Sequence, residues 1–382
     1  MPNWILTDVE RDIHIDELQL GPREVGDGCA VRKRTLRGGL RDGVEVVEVD
    51  NGVLKFTVLP TRGMGLWRAA VGEMQVGWQA PVKGPVHPSF VPLFEPSGIG
   101  WLNGFDELLC RCGLESNGAP EFSPHGHLVH PLHGRIANLP AHKLEVIYDP
   151  AQRELSVTGV VDESRLFGNK LRLRSTIRTR AGESSLTITD EVTNIAGIPS
   201  ELELLYHVNF GPPLAGEGSK VVAPLKKLSP RNADAVADIG SWNMYPAARN
   251  KPEVVHFLEL VAGDGNRTRA LLHNAAADHG ASLVYDPRQL PCFTLWKNPL
   301  LAADGYVTGL EPGINFPNVK SFEKAKGRVA TLAPGETRQF DLTLDLHASA
   351  DSVRAAAAEI ATMSKGLAPS VLKQPDPDWA SG

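Results

Sequence analysis

Residues 201–210 constrain the fold more than any other stretch of this sequence. The apolar side chains recur at every second position, at Leu202, Leu204, Tyr206, Val208 and Phe210. A β-strand places alternate residues on opposite faces, so this spacing predicts a strand with one buried apolar face. The other face carries His207 and Asn209, which puts an imidazole and a carboxamide side by side.

A second polar stretch about a hundred residues later could complete an acid/base pair. Thr308-Gly309-Leu310-Glu311-Pro312-Gly313 has the composition of a strand that ends in a turn, and it offers one carboxylate, Glu311. A His and a Glu that meet in a groove can move protons to and from a bound molecule. His207 and Glu311 are therefore the candidate catalytic residues.

The rest of the chain is predicted to be mostly β-structure. The 37 glycines and 29 prolines favour turns and short strands over long helices. Alternating apolar residues predict strands at 44–49, 53–59, 144–148, 154–161, 170–178, 184–193, 201–210, 254–260, 268–273, 281–286, 292–297, 304–311, 328–332 and 340–346. Only the alanine-rich stretch 350–365 predicts a helix. The fold class is therefore all-β, a large antiparallel β-sandwich with a short C-terminal helix.

The predicted domain organisation has three parts. Residues 1–43 are polar and are expected to be an irregular lead-in packed on the main domain. Residues 44–349 form the β-sandwich, and residues 350–382 form the C-terminal helix and tail. Residues 80–140 are rich in Pro, Gly and His with little periodicity, which predicts a long functional insert without regular structure.

Charge and cysteine content narrow the classes of partner and compartment. A net charge of −6 argues against nucleic acid or an anionic membrane as the main partner. The four cysteines are too few for a disulfide framework and are interpreted as reduced thiols. The first residues show no signal peptide and no apolar stretch approaches the length of a membrane span, so a cytoplasmic location is expected. Sheet edges and exposed aromatic residues would allow a homodimer.

Other polar residues are candidates for binding a ligand. Arg62, His133, Arg135 and Lys297 could donate hydrogen bonds to substrate oxygens, and Asn209 could orient either the substrate or the imidazole of His207. His125, His127 and His130 precede His133 in a His-rich loop. They are weak candidates for a metal site, because their spacing matches no standard one.

Three motifs taken in order resemble the aldose 1-epimerase (galactose mutarotase-like) superfamily, and within it the DUF4432 branch. They are Leu-His-Gly-Arg at 132–135, Leu-Tyr-His-Val-Asn at 205–209 and Gly-Leu-Glu-Pro at 309–312. The Pro-Gly-Glu turn at 334–336 and Arg-Gly-Met at 62–64 fit the same pattern.

The resemblance implies a supersandwich fold and a reaction that interconverts sugar anomers without a cofactor. It assigns Glu311 as the base at the anomeric hydroxyl and His207 as the acid at the ring oxygen, with a small-molecule sugar as partner. Two alternatives stay open on the same scaffold. One is a metal-dependent sugar isomerase or lyase that uses the His cluster, and the other is a non-catalytic carbohydrate-binding protein.

Overall fold

Two large antiparallel sheets packed face to face make up most of the computed structural model, which describes residues 1–381. The strands, in chain order, are β1 (Asn3–Asp8), β2 (Ile13–His14), β3 (Leu18–Leu20), β4 (Ala30–Thr35), β5 (Glu45–Asp50), β6 (Leu54–Leu59), β7 (Gly65–Val71), β8 (Met74–Val76), β9 (Leu109–Leu114), β10 (Glu121–Phe122), β11 (Leu128–His130), β12 (Lys143–Asp149), β13 (Glu154–Ser164), β14 (Lys170–Arg180), β15 (Ser185–Asn194), β16 (Ser200–Phe210), β17 (Lys220–Val222), β18 (Leu225–Pro230), β19 (Val254–Leu260), β20 (Thr268–His273), β21 (Gly280–Tyr285), β22 (Cys292–Asn298), β23 (Val307–Gly313), β24 (Ala330–Leu332), β25 (Thr337–His347) and β26 (Ser370–Val371).

Helices are short and lie between or after the strands. The α-helices are α1 (Pro22–Val25), α2 (Ala233–Asp238), α3 (Lys320–Ala325) and α4 (Ala350–Met363). The 3₁₀ helices span Val9–Arg11, Gly39–Arg41, Pro88–Phe90, Gly100–Gly104, Ile136–Asn138, Ile239–Ser241, Asp264–Asn266 and Ala302–Asp304. No helix within residues 1–381 is long and apolar enough to cross a bilayer.

The order of the strands confirms the predicted antiparallel sandwich. The first sheet runs β17-β20-β21-β25-β15-β14-β13-β12-β1-β2. The second runs β26-β18-β19-β22-β23-β16-β9-β7-β6-β5-β4-β3, with β8 beside β7 and β24 beside β16. Neighbouring strands are antiparallel except for β18 and β26, and β10 and β11 form a separate hairpin. The inner faces of both sheets contribute to one continuous apolar core.

The N-terminal segment is more regular than its polar sequence predicts. Instead of an irregular lead-in, β1 pairs with β12 in the first sheet while β4 pairs with β5 in the second. The polar composition hid β4 because Lys33 occupies an inward position. Its buried ammonium group donates to Glu45 and to the carbonyl of Ile15, at 2.5 Å and 2.6 Å, which satisfies the charge.

The segment 80–140 also contains a strand that the sequence analysis missed. Strand β9 lies between β16 and β7 in the middle of the second sheet. All six of its residues are buried, so its sequence Leu-Cys-Arg-Cys-Gly-Leu lacks the alternation of a half-exposed strand. The remainder of 80–140 consists of loops, short 3₁₀ helices and the β10–β11 hairpin, as expected for an insert.

Helix α4 agrees with the predicted C-terminal helix. Ser349 caps its first turn by accepting a hydrogen bond from the backbone N–H of Ser352. Val353, Ala356 and Ile360 are buried at helical spacing and pack against Leu271 of β20.

A buried ion pair links the two sheets through the core. Arg111 of β9 donates to Asp190 of β15 at 2.5 Å and 2.9 Å, and both side chains are fully buried. Arg111 also donates to Ser175 of β14, and the Tyr206 hydroxyl of β16 donates to Asp190 at 2.8 Å. The carboxylate therefore accepts from two neighbouring strands of the second sheet.

Replacing Asp190 should strongly destabilise the fold. In Asp190→Asn the shape is kept but the buried guanidinium of Arg111 loses its counter-charge. We expect the free energy of unfolding to fall by about 3–5 kcal/mol. Urea unfolding followed by circular dichroism measures the change.

Glu191→Gln is the matched control because this neighbour on β15 pairs with Arg174 at the surface, at 3.3 Å. Exposed pairs contribute less than about 1 kcal/mol. Equal losses in the two variants would show that the buried pair does not hold the sheets together.

Candidate functional site

His207 and Glu311 lie side by side on the outer face of the second sheet. The register of β16 with β23 pairs Val208 with Leu310 and Asn209 with Gly309. Strand alternation then directs Tyr206 and Val208 into the core and His207 away from it. The Nε2 atom of His207 is 3.3 Å from Oε1 of Glu311. The two predicted catalytic side chains are thus brought together.

Gly309 leaves the room that this arrangement needs. A Cβ atom at this position would lie 2.2 Å from Oε1 of Glu311 and 3.1 Å from Cε1 of His207. Any side chain larger than hydrogen would displace the carboxyl group, so the glycine fixes how closely the pair approaches.

The pair opens into a cavity of about 270 Å³ with aromatic walls. The rings of Phe105, Trp296 and Trp101 have their centroids 5.1, 5.4 and 6.1 Å from that of His207. The lining consists of Trp101, Leu102, Phe105, Ala119, Pro120, Leu132, His133, His207, Arg231, Glu253, Val255, Thr294, Trp296, Glu311 and Pro317. Such a cavity suits a small molecule with both apolar and polar faces.

Asn209 determines which nitrogen of His207 carries the proton. Its amide nitrogen donates to the carbonyl oxygens of Glu107 and His207, at 3.0 Å and 3.2 Å. The amide oxygen must therefore face Nδ1 of His207, 2.5 Å away, and accept a hydrogen bond from it. With the proton on Nδ1, neutral His207 presents the lone pair of Nε2 to Glu311.

Burial favours the neutral form of both members of the pair. Desolvation, together with the positive charge of nearby His133, lowers the pKa of His207 to about 3. Burial raises the pKa of Glu311 well above its usual value. The proton of the pair therefore favours the carboxyl group, and the imidazole is the acceptor.

His133 stands beside His207 as a cation. Its Nδ1 atom is 2.9 Å from the carbonyl oxygen of Asn117 and so donates to it. Its ring also interacts with Cys112, whose pKa burial would raise but Cys110 and His133 lower to about 6. Burial alone would lower the pKa of His133, but the Cys112 thiolate and the Asn117 carbonyl outweigh it and raise the pKa to about 9. The predicted ligand-binding His133 thus lines the cavity, edge-on to His207.

Three buried polar atoms in the cavity lining have no hydrogen-bond partner within residues 1–381. They are Nε1 of Trp101, Oγ1 of Thr294 and Oε1 of Glu311. Buried polar groups are nearly always paired, because leaving one unpaired costs about 1–3 kcal/mol. A donor, a hydroxyl and a carboxyl oxygen are therefore available to the polar groups of a ligand.

The structure does not bring Arg62 to this cavity, which corrects the expectation that it binds a substrate. Its buried guanidinium pairs with Glu107 at 2.5 Å and donates to Val86, Asn138 and Gly104. With its donors used inside the protein, Arg62 supports the loop that carries Glu107.

Lys297 and Arg135 also lie outside the cavity. Strand alternation turns Lys297 to the face opposite Trp296, where its buried ammonium group pairs with Asp238 of α2. Arg135 follows the turn at Gly134, and its charge acts on the buried carboxyl group of Glu163. Neither placement supports the predicted contact with a substrate.

The His-rich loop does not form a metal site in the structure. His125 and His127 are exposed in the turn of the β10–β11 hairpin, His130 lies on β11, and His133 points into the cavity. Across residues 1–381, no group of three or more His, Cys, Asp or Glu side chains is arranged to hold a metal ion.

The sequence analysis missed several residues that line the cavity. Trp101 lies in a 3₁₀ helix and Arg231 follows β18, so neither position shows a periodic signal. Thr294 and Glu253 could have been found by extending the alternation of β22 and β19 from Trp296 and Val255. Which strands adjoin β23 is a matter of topology, and the sequence alone does not give it.

Comparison with known proteins identifies the family. The profile of the family described as a domain of unknown function (DUF4432) matches residues 41–346. The chain belongs to this family. No curated protein matches the sequence of this DUF4432 member.

Solved structures show the same fold as this DUF4432 protein. A Klebsiella pneumoniae protein described as a candidate aldose 1-epimerase is 34% identical, with a TM-score of 0.94 over 98% of each chain. A galactose mutarotase-like protein from Clostridium acetobutylicum is 13% identical, with a TM-score of 0.57 over 83% of this chain and 98% of its own. A galactose mutarotase related enzyme from Lactobacillus acidophilus is 15% identical, with a TM-score of 0.55 over 80% of this chain and 98% of its own.

The protonation of His207 provides a direct test of this geometry. Long-range ¹H–¹⁵N NMR should show a neutral ring with the proton on Nδ1 at pH 6, where an ordinary histidine is largely protonated. In Asn209→Asp a carboxylate would accept from Nδ1, so the pKa of His207 should rise.

Asn243→Asp is the control, because Asn243 is half-buried and donates to the Val221 carbonyl outside the cavity. It should leave the His207 signals unchanged. A protonated His207 in the unsubstituted protein at pH 6 would contradict the assignment.

Proposed function

We propose that this protein is an isomerase that interconverts the anomers of a cyclic sugar. The observation that carries the proposal is the placement of His207 and Glu311, 3.3 Å apart at the bottom of an aromatic cavity. The similarity to a candidate aldose 1-epimerase at 34% identity supports it. The presence of a proton donor next to an acceptor favours catalysis over simple binding.

The cavity has the chemistry that a sugar ring requires. Sugars have apolar C–H faces that pack on aromatic rings, and Trp101, Phe105 and Trp296 supply such surfaces. Their hydroxyl groups can pair with the three buried polar atoms that have no partner in the protein. The ring of His133 forms part of the cavity wall beside the pair.

Anomer interconversion requires one proton to leave the anomeric hydroxyl while another reaches the ring oxygen. The hemiacetal then opens to an aldehyde, the C1–C2 bond rotates and the ring closes on the other face. These two oxygens are bonded to the same carbon, so two adjacent side chains can serve both. His207 and Glu311 return to their starting protonation states after the ring closes, so the proton transfers require no cofactor.

The pair needs one proton in total to perform this cycle. That proton favours Glu311, because burial raises the pKa of Glu311 and lowers that of His207. Its transfer across the short gap to Nε2 of His207 gives a carboxylate and an imidazolium. Glu311 then takes the proton of the anomeric hydroxyl while His207 protonates the ring oxygen, which are the roles implied by the family resemblance.

Removal of either side chain should strongly slow anomer exchange. We expect His207→Ala and Glu311→Gln each to lower the rate of anomer exchange by about 10²–10⁴-fold, the usual contribution of general acid–base catalysis. Saturation-transfer NMR on a panel of aldoses measures exchange between the α and β forms at equilibrium.

His130→Ala is the matched control, since this half-buried His lies close in sequence to His133 but outside the cavity lining. It should retain the full rate. Exchange no faster than in buffer for every sugar tested would overturn the proposed function, and binding without exchange would indicate a carbohydrate-binding protein instead.

The pH dependence should distinguish this site from one with an ordinary histidine. Since the pKa of His207 is about 3, the pair gains no second proton between pH 7 and pH 5. We expect kcat/KM to stay within about twofold over this range, whereas a histidine that titrates near 6.5 would reduce it about tenfold or more. The measurement is the rate of exchange at half-unit steps of pH, and a steep loss between pH 7 and pH 5 would contradict the assignment.

A further inference from the structure

One arginine of the cavity lining makes no side-chain hydrogen bond within the part of the chain that the structure describes. Arg231 follows β18, and its backbone N–H is fixed by the carbonyl of Val255 at 3.0 Å. Its guanidinium makes no hydrogen bond to any other side chain or backbone group within residues 1–381. Its contact with Glu253 is 3.8 Å, which is longer than a hydrogen bond.

This feature sets Arg231 apart from the fully buried cationic side chains of the second sheet and its loops. The side-chain donors of Arg62 and Arg111 are held by buried carboxylates and carbonyls, and Lys297 is held by Asp238. Arg231 is one-third exposed at the cavity and presents an open fork of N–H donors. A planar fork of this kind matches a carboxylate or phosphate in a bidentate pair.

The carboxylate of Glu253 would repel a bound anion, but both of its oxygens already face donor groups of the protein. One of its oxygens already accepts a hydrogen bond from the indole N–H of Trp296 at 2.7 Å. Its other oxygen faces Arg231 at 3.8 Å. The remaining ionisable lining groups are His133, held as a cation, and the neutral pair of His207 and Glu311. The charge of His133 is already opposed by the Cys112 thiolate. Arg231 is therefore the cation of the lining that remains for a ligand.

We propose that the substrate of this cavity is an anionic sugar, whose carboxylate or phosphate group is bound by the guanidinium of Arg231. This inference rests on the proposed function, since it specifies the class of sugar on which the His207–Glu311 pair acts. Arg231 lines the same cavity of about 270 Å³ as His207 and Glu311. A small molecule held in this cavity can therefore contact both the arginine and the acid/base pair.

The test compares charged and neutral sugars on the same enzyme. Anomer exchange is measured by saturation-transfer NMR for glucuronate and galacturonate, for glucose 6-phosphate, and for glucose and galactose. We expect kcat/KM for at least one charged sugar to exceed that of its neutral counterpart by about 10- to 100-fold, as a charge-assisted pair provides. Comparison of the hexuronates with the hexose phosphate shows whether the bound anionic group is a carboxylate or a phosphate.

Substitutions then assign the preference to Arg231. Arg231→Gln should lower the ratio of kcat/KM for the charged sugar to that for the neutral sugar by about 10- to 100-fold, and Arg231→Lys should lower it less. Glu253→Gln keeps an acceptor for Trp296 but removes the competing charge, so it should raise the ratio. Arg178→Gln is the control, because Arg178 has a similar exposure and a 3.8 Å contact with Glu154, but lies on β14 of the first sheet.

The outcomes separate this inference from the proposed function. Faster exchange of neutral sugars alone, or a ratio that Arg231→Gln leaves unchanged, would overturn the anionic substrate while the isomerase assignment stands. Exchange of no sugar faster than in buffer would overturn both. A charged-sugar preference that depends on Arg231 and survives Arg178→Gln supports the inference.

Discussion

The ion pair between Arg111 and Asp190 is the contact on which the site depends most. It crosses the core from β9 to β15, and the hydroxyl of Tyr206 joins it from β16. The strands that it anchors are the same ones that carry Cys112 and His207 on their opposite faces. Because a buried charge that loses its partner is costly, β9 and β16 cannot shift independently of the first sheet. The position of the His207 imidazole is thereby fixed by contacts on the core side of the sheet.

Strand alternation allows one short segment to serve both the core and the site. Tyr206 and Val208 are buried in the core, while His207 and Asn209 face the cavity. A change of register by one residue would exchange these sets, so the packing of the core and the chemistry of the site are specified together. This coupling explains why the reacting groups lie on the regular strands β16 and β23, while the walls and rim come from loops.

The charges of the two histidines in the cavity are set by burial and by the groups that contact each ring. Asn209 orients His207 without adding charge, so burial can keep the ring neutral. His133 differs because the Asn117 carbonyl and the Cys112 thiolate stabilise its charge, and it remains a cation. The cavity thus holds a neutral acid/base pair beside the His133–Cys112 ion pair, and Arg231 adds a cation at the rim. An anionic sugar would meet Arg231 while it contacts the pair.

The sequence by itself determined the strands with one solvent-exposed face, and it named His207 and Glu311 as the candidate acid/base pair. Alternation of apolar residues revealed β16 and most of the first sheet, and the polar face of β16 exposed His207 and Asn209. Tertiary structure alone decided the rest. Strand β9 is buried on both faces and shows no alternation of apolar and polar residues. The sequence predicted that Arg62 and Lys297 bind a ligand, but in the structure both pair with carboxylates inside the protein. Pairing between segments a hundred residues apart depends on packing in three dimensions, which local periodicity does not encode.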